Sequence, residues 1–220
     1  MKTKVILAAI TVLLAVSCET DSYNKGEGRY SLLQGDIAEL TIDSQKKAVS
    51  FLTDHGDNYT LLNPFSASWI ETADTVYRTI IYYNKVNEGK ANAQSAAQLV
   101  TVHPVPHWRF SEMPQDPLGL ESAWLSKSGK YLNLALLMKS GYVDDKEERQ
   151  IIGLACDTVL TYTNQQRTAY YRLLHSQNDV PQYYTNRRYI TIALPASRLD
   201  TIRLKVPTYD GLLERIIVMP

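Results

Sequence analysis

From Tyr30 onward, apolar and polar side chains alternate with period two through much of the chain, which predicts strands rather than helices. Ala48-Val49-Ser50-Phe51-Leu52, residues 76–83 and residues 99–102 are rich in β-branched and aromatic side chains. Turn-forming runs bound them, Asp54-His55-Gly56-Asp57 and Asn87-Glu88-Gly89-Lys90. Residues 91–98, ANAQSAAQ, carry no apolar stripe and span about two helical turns, so a loop or short helix is expected there. Further on, Leu132, Leu134, Leu136 and Met138 share one face of an expected strand over residues 131–138. More strands are expected at 151–163, 169–175, 189–194, 202–206 and 216–219. Strands about 10 to 20 residues apart, joined by turn signals such as Asp144-Asp145-Lys146 and Asp210-Gly211, point to a β-sandwich.

The pattern is interrupted at Ser111-Glu112-Met113-Pro114-Gln115-Asp116-Pro117-Leu118-Gly119, where Pro114 and Pro117 remove backbone donors and Gly119 loosens the chain. The domain boundary is expected there, with a first domain over residues 30–112, a linker over 113–120 and the sandwich over 121–220. A first part of about 80 residues and about five strands has the size of a small closed barrel, because an open sheet that short would leave edges and one apolar face uncovered.

The N-terminus has a different character. Lys2 and Lys4 precede an apolar run over residues 5–16 that is too short to span a bilayer and reads as a secretory signal peptide, residues 1–17. It ends Leu14-Ala15-Val16-Ser17-Cys18, which resembles a bacterial lipobox, with Ala15 where Leu is commoner. Cys18 is then the expected lipidation site and the mature N-terminus, carrying diacylglycerol and a further acyl chain such as palmitate. Residues 18–29 are polar and contain glycine, as a flexible tether would. Cleavage removes Lys2 and Lys4, so 23 basic residues fall to 21 against 23 acidic ones, and the anchor cannot be electrostatic. Several acyl chains, at about 0.8 kcal/mol per buried methylene, hold a protein to a membrane essentially permanently.

Charge balance also leaves no basic footprint for nucleic acid, and two cysteines cannot make a disulfide-dense scaffold. No nucleophile elbow, P-loop, dinucleotide fingerprint or H-E-x-x-H occurs, so no catalytic residue, cofactor or metal is expected. His103 and His107 flank Pro-Val-Pro, an extended path that separates the rings by about 13 Å and favours a stiff strand exit over a metal site. Asp54-His55-Gly56-Asp57 mixes carboxylates with an imidazole, but Asp and Gly are what a tight hairpin turn demands. Cys156 reads as a buried small hydrophobe.

The compositional excess that bears on binding is fifteen tyrosines and three tryptophans, since flat rings stack on sugars and supply contact area at low entropic cost. Within a strand, Tyr82-Tyr83 and Tyr170-Tyr171 must point to opposite faces, one to the core and one outward. Tyr183 and Tyr184, between Pro181 and Asn186, are expected in a loop and are the candidate ligand contacts for a glycan or peptide.

The layout resembles the NigD-like lipoproteins of Bacteroidetes over essentially the whole mature chain. The resemblance is carried by the hairpin Val49-Ser50-Phe51-Leu52-Thr53-Asp54-His55-Gly56-Asp57-Asn58-Tyr59-Thr60-Leu61-Leu62-Asn63-Pro64, by Asp74-Thr75-Val76-Tyr77-Arg78-Thr79-Ile80-Ile81-Tyr82-Tyr83, and by Trp124-Leu125-Ser126 leading to Tyr131-Leu132-Asn133-Leu134. Leu174-His175-Ser176-Gln177-Asn178-Asp179 and Tyr189-Ile190-Thr191-Ile192-Ala193-Leu194 extend it. It implies an all-β chain, an N-terminal OB-like small barrel followed by a C-terminal immunoglobulin-like β-sandwich, lipid-anchored in the cell envelope, most naturally at the outer membrane. The function expected is a non-enzymatic binding or accessory module for an envelope protein or glycan partner, with a bacteriocin association suggested by the family's name. The rival from another class is an envelope hydrolase whose site is not visible in the sequence. The same lineage implies O-glycosylation at Asp-Ser/Thr-aliphatic motifs, here at Thr75, Thr158 and Thr201, with Thr201 favoured by the loop expected before it.

Overall fold

The computed structural model describes residues 32–142 and 149–220, so the signal-like segment, Cys18 and the tether lie outside the described residues. Gln34–Pro220 form one compact unit. Strands β1 (Leu33–Ile42), β2 (Ala48–Thr53), β3 (Asn58–Phe65), β4 (Thr75–Asn87) and β5 (Lys90–Gln98) close into a barrel in the order β1-β2-β3-β5-β4. This is the small five-stranded barrel expected for the first domain. Alternation fills its interior: Ala38, Leu40 and Ile42 of β1 point inward together with Phe51, Tyr59 and Tyr83. Phe51 lies 5.2 Å from Tyr59 in a stacked pair and 4.8 Å from Tyr83 edge-on, the offset geometries that aromatic quadrupoles favour. The Tyr83 hydroxyl donates to Asp36 at 2.8 Å; burial, reinforced by that carboxylate, pushes the phenol far above its ordinary range.

Residues 91–98 form β5, not a loop or short helix. Small size, not helical preference, is the reason for the alanines: Ala91 is fully buried, and Ala93 and Ala96 pack against the barrel core where larger side chains would collide with the aromatic trio. β5 pairs antiparallel with β4 and parallel with β3, and tertiary pairing overrides its weak strand propensity. The expected turn after β2 is present, with Gly56 at φ +91° and the Asp57 N–H donating to the Thr53 hydroxyl.

The remaining strands are β6 (Val100–Val102), β7 (Val105–Pro106), β8 (Gly119–Leu125), β9 (Tyr131–Ser140), β10 (Ile151–Thr161), β11 (Arg167–Ser176), β12 (Tyr184–Ala193), β13 (Thr201–Thr208) and β14 (Gly211–Val218). They build two sheets, β14-β13-β11-β10-β7 and β6-β12-β9-β8. Leu132, Leu134, Leu136 and Met138 form one inner face as expected, packed in one core with Tyr171, Leu173, Ile202 and Leu204 of the opposite sheet. Three pairs, β10 with β7, β11 with β13 and β12 with β6, are parallel. The paired tyrosines split as alternation requires: Tyr83 and Tyr171 are buried, while Tyr82 is 41% exposed and Tyr170 faces outward.

The passage between barrel and sandwich differs from the expected linker. β6 and β7 already belong to the sandwich, so the chain leaves the barrel between Gln98 and Val100. Residues 113–120 are held along the sandwich: Gln115 bridges His175, the Asp116 N–H donates to the His175 carbonyl at 2.9 Å, and Leu118 is fully buried while its N–H donates to the Pro207 carbonyl. The prolines there occupy positions where the backbone acts through carbonyls, as Pro114 does in accepting the His175 N–H at 3.1 Å. Proline marked a non-repetitive but well-bonded strap.

Candidate functional site

The two sheets of the sandwich use the inner face of β9 for the core, and alternation turns Asn133 and Ala135 to the other side, where both are nonetheless buried. The barrel covers them. At the centre of this junction Arg78 of β4, 6% exposed, makes a two-pronged ion pair with Asp54, both bonds at 2.8 Å. Asn133 closes the cluster by donating to Asp54 at 2.6 Å and accepting from Arg78 at 3.1 Å and from the Thr191 hydroxyl at 2.7 Å. The guanidinium also lies 4.0 Å over the Tyr131 ring. Burial, with a contribution from Glu39, pushes the Tyr131 phenol up to about 12. Main chain adds to the clamp, since the Lys127 N–H donates to the Asp54 carbonyl at 2.8 Å. Asp54 therefore serves the hairpin turn expected of it and joins the two bodies as well.

Two adjoining hollows lie where barrel meets sandwich, sharing Ile80 and Tyr82 of the barrel and Arg187 and Tyr189 of β12 as common wall, with volumes of about 660 and 570 Å³, and Asp54 of the clamp lines the smaller. The smaller is floored by Trp124, which meets Tyr189 edge-on at 6.2 Å, and rimmed by the Arg187–Glu121 ion pair. The larger adds Tyr184, Arg188 and Arg149. The Tyr82 ring is seated on Gly35, where a Cβ would stand 2.8 Å from the ring, so glycine there is what lets the aromatic lie flat along the barrel. Together they make a cleft in the size range of ligand sites, walled by aromatic rings, with arginines in the larger hollow and the carboxylates Asp36, Asp54 and Glu121 in the smaller.

Of the expected contact pair, Tyr184 lines the larger hollow and is 52% exposed, whereas Tyr183, 79% exposed, lies outside the cleft against Gly141 and Pro181. Tyr184 is not in a loop but begins β12. Alternation through Tyr-Thr-Asn-Arg-Arg-Tyr continues the strand N-terminally, though its polar residues hide the pattern from a hydrophobicity reading. Tyr82, Trp124 and Tyr189 also line the cleft; the outward member of a Tyr-Tyr pair and an aromatic at a strand end are the sequence signals that point to them.

Among the described residues no cluster of three or more His, Cys, Asp or Glu is placed to hold a metal. His103 and His107 are exposed on either side of β7, and His107 sits in a 3-10 turn edge-on to Trp108. In the smaller hollow His55 stands 3.8 Å from Asp36 and is 80% exposed at its side chain. Cys156 is half-buried against the sandwich core, and burial with the neighbouring Asp157 pushes its thiol up, away from reactivity. Thr158 is exposed on β10, while Thr75 and Thr201 are half-buried at the starts of β4 and β13; the loop before Thr201 does not free it, because β13 is paired on both sides.

No family model and no curated protein matches the sequence. Among solved structures the chain is similar to a NigD-like immunity protein from Bacteroides caccae, with a TM-score of 0.64 and 22% identity over 84% of this chain and 96% of that one. It is similar to a protein from Parabacteroides distasonis described as toxin-related, with a TM-score of 0.62 and 14% identity over 84% of this chain and 92% of that one. A Bacteroides fragilis protein described as a lipoprotein matches with a TM-score of 0.58 and 12% identity over 84% of this chain and 96% of that one. The chain thus has the fold of the NigD-like proteins of Bacteroidetes that its sequence resembles.

Proposed function

We propose that the protein is a lipoprotein of the cell envelope, held at the outer membrane by acylated Cys18, that retains a protein or glycan partner in the cleft between barrel and sandwich without transforming it. One observation carries this reading: a cleft walled by Tyr82, Trp124 and Tyr189 lies where barrel meets sandwich, next to the buried Arg78–Asp54–Asn133 cluster that joins the two. Rigid aromatic walls supply binding area at little entropic cost. The descriptions of the Bacteroides caccae and Bacteroides fragilis proteins, an immunity protein and a lipoprotein, support an accessory role in the envelope, alongside the bacteriocin association that the family's name suggests. Glycosylation of the folded chain would fall on Thr158 in preference to Thr75 and Thr201.

Photo-crosslinkers placed at Tyr184, in the cleft, and at Tyr162, on the outer face of the other sheet, test the reading in intact cells. A specific adduct formed from Tyr184 and lost in Trp124→Ala supports it; adducts from Tyr162 alone, or adducts indifferent to Trp124→Ala, refute it.

A further inference from the structure

β12 is ten residues long and pairs along its whole length with β9, but its other neighbour, β6, covers only Ile190, Thr191 and Ile192. Among the described residues nothing pairs with residues 185–189 on that side, where every second residue of an antiparallel strand directs its N–H and C=O. This open edge borders the 660 Å³ hollow. We propose that the cleft binds an extended acidic peptide segment of a partner protein, which adds as a strand to the free edge of β12 in line with β6. The inference rests on the cleft being the binding site and names what fills it.

Side-chain direction sets the pattern such a segment must have. Arg188 and Asn186 oppose Leu136 and Met138 and so share the face of the sandwich interior, with Arg149 beside them. Arg187 and Tyr189 oppose Leu137 and Ala135 and share the other face, where Tyr82 and Ile80 of the barrel complete the wall. Alternate side chains of an added strand would meet these two faces in turn, one cationic and one largely aromatic, because Arg187 is already neutralised by Glu121. The described lining of this hollow holds three arginines and no carboxylate. A second copy of the same edge would bring Arg188 and Arg149, which no carboxylate of the hollow's described lining offsets, against their own kind, so the charge selects a different, acidic chain.

The probe is an acetylated, amidated octapeptide alternating glutamate with valine, added to the full-length chain in detergent, with its lysine-for-glutamate counterpart and a version N-methylated on alternate amides. The expected results are saturable binding of the glutamate peptide, at least tenfold weaker binding of the other two, and at least tenfold loss in Arg188→Glu, a substitution at an exposed site. Amide hydrogen exchange on the unsubstituted chain should show alternate amides within 185–189 slowing when the peptide binds. No binding of the octapeptide overturns the strand-addition inference but leaves the cleft reading to be judged by its own crosslinks. Binding without slowed exchange, or indifferent to N-methylation, shows a mere charge contact and overturns it. So does an oligosaccharide that protects the same amides when the peptide does not, or peptide binding seen only after Asp144, Asp145, Glu147 and Glu148 are neutralised, which would assign the arginines to this chain's own acidic run.

Discussion

Asp54 accepts three side-chain hydrogen bonds, two from Arg78 and one from Asn133, at a site where its side chain is 10% exposed and that of Arg78 is 4% exposed. Removing one partner of such a pair leaves a buried charge uncompensated, so Asp54→Ala is expected to lower stability by about 3–5 kcal/mol in urea unfolding. Replacing both charges, as Asp54→Leu with Arg78→Met, should recover a large part of that loss, since it removes the desolvated ions together; an unchanged deficit in the double variant would show that the cost lies in the hairpin turn. Tyr131 gives a second test. Its phenol ionises near 10 in the unfolded chain but only at about 12 when folded, so its contribution is complete below pH 10 and disappears as pH rises through 12. Stability should fall over that window, and Tyr131→Phe should flatten the fall. Arg78 and Asn133 were hard to recognise in the sequence because each lies inside an otherwise regular strand pattern and reads as one solvent-facing position. What betrays Asn133 is its company: Asn133, Ala135 and Leu137 form a face with no charge, which suits a covered surface and not a wet one.

At the scale of elements, most strands are legible from β-branched and aromatic enrichment, as in β4, or from alternating apolar residues, as with Leu132, Leu134, Leu136 and Met138 in β9. β5 was not, since its alanines were chosen by the narrow space beside Phe51 and Tyr83, a constraint visible only after the barrel closes. The strap at 113–120 reads as a linker for a related reason: Pro and Gly report local backbone freedom, and here long-range bonds to His175 and Pro207 remove that freedom. A fragment beginning at Glu121 lacks Leu118, β6 and β7, and is expected to stay unfolded by circular dichroism, whereas one beginning at Leu99 keeps all of them and should fold. Limited proteolysis of the intact chain should correspondingly spare 113–120; early cleavage there would mean that the strap opens in solution.

For the whole molecule, the proposed acyl anchor is separable from the fold, because Gln34–Pro220 form a compact unit without it and among the described residues no helix is long and apolar enough to cross a membrane. Cys18→Ala should therefore move the protein from the detergent phase to the aqueous phase without lowering its melting temperature. Retention with membranes after a high-salt wash would place the anchor elsewhere. The cleft, by contrast, belongs to the assembly of barrel and sandwich and to neither alone, which is why its residues carry no contiguous motif. The joint between the two bodies also has a mechanical meaning. β5 ends at Gln98 and β6 begins at Val100, leaving Leu99 alone between them, buried and with its N–H donating to the Arg78 carbonyl at 2.9 Å. A tug delivered through the cleft enters both bodies together, at Tyr82 and at Tyr189, and meets a one-residue strap in parallel with an ion-paired clamp. Such a joint is a stiff bracket and not a swivel, so tension between an anchored chain and a captured partner would load the partner's own contacts before it swung the walls of the cleft apart.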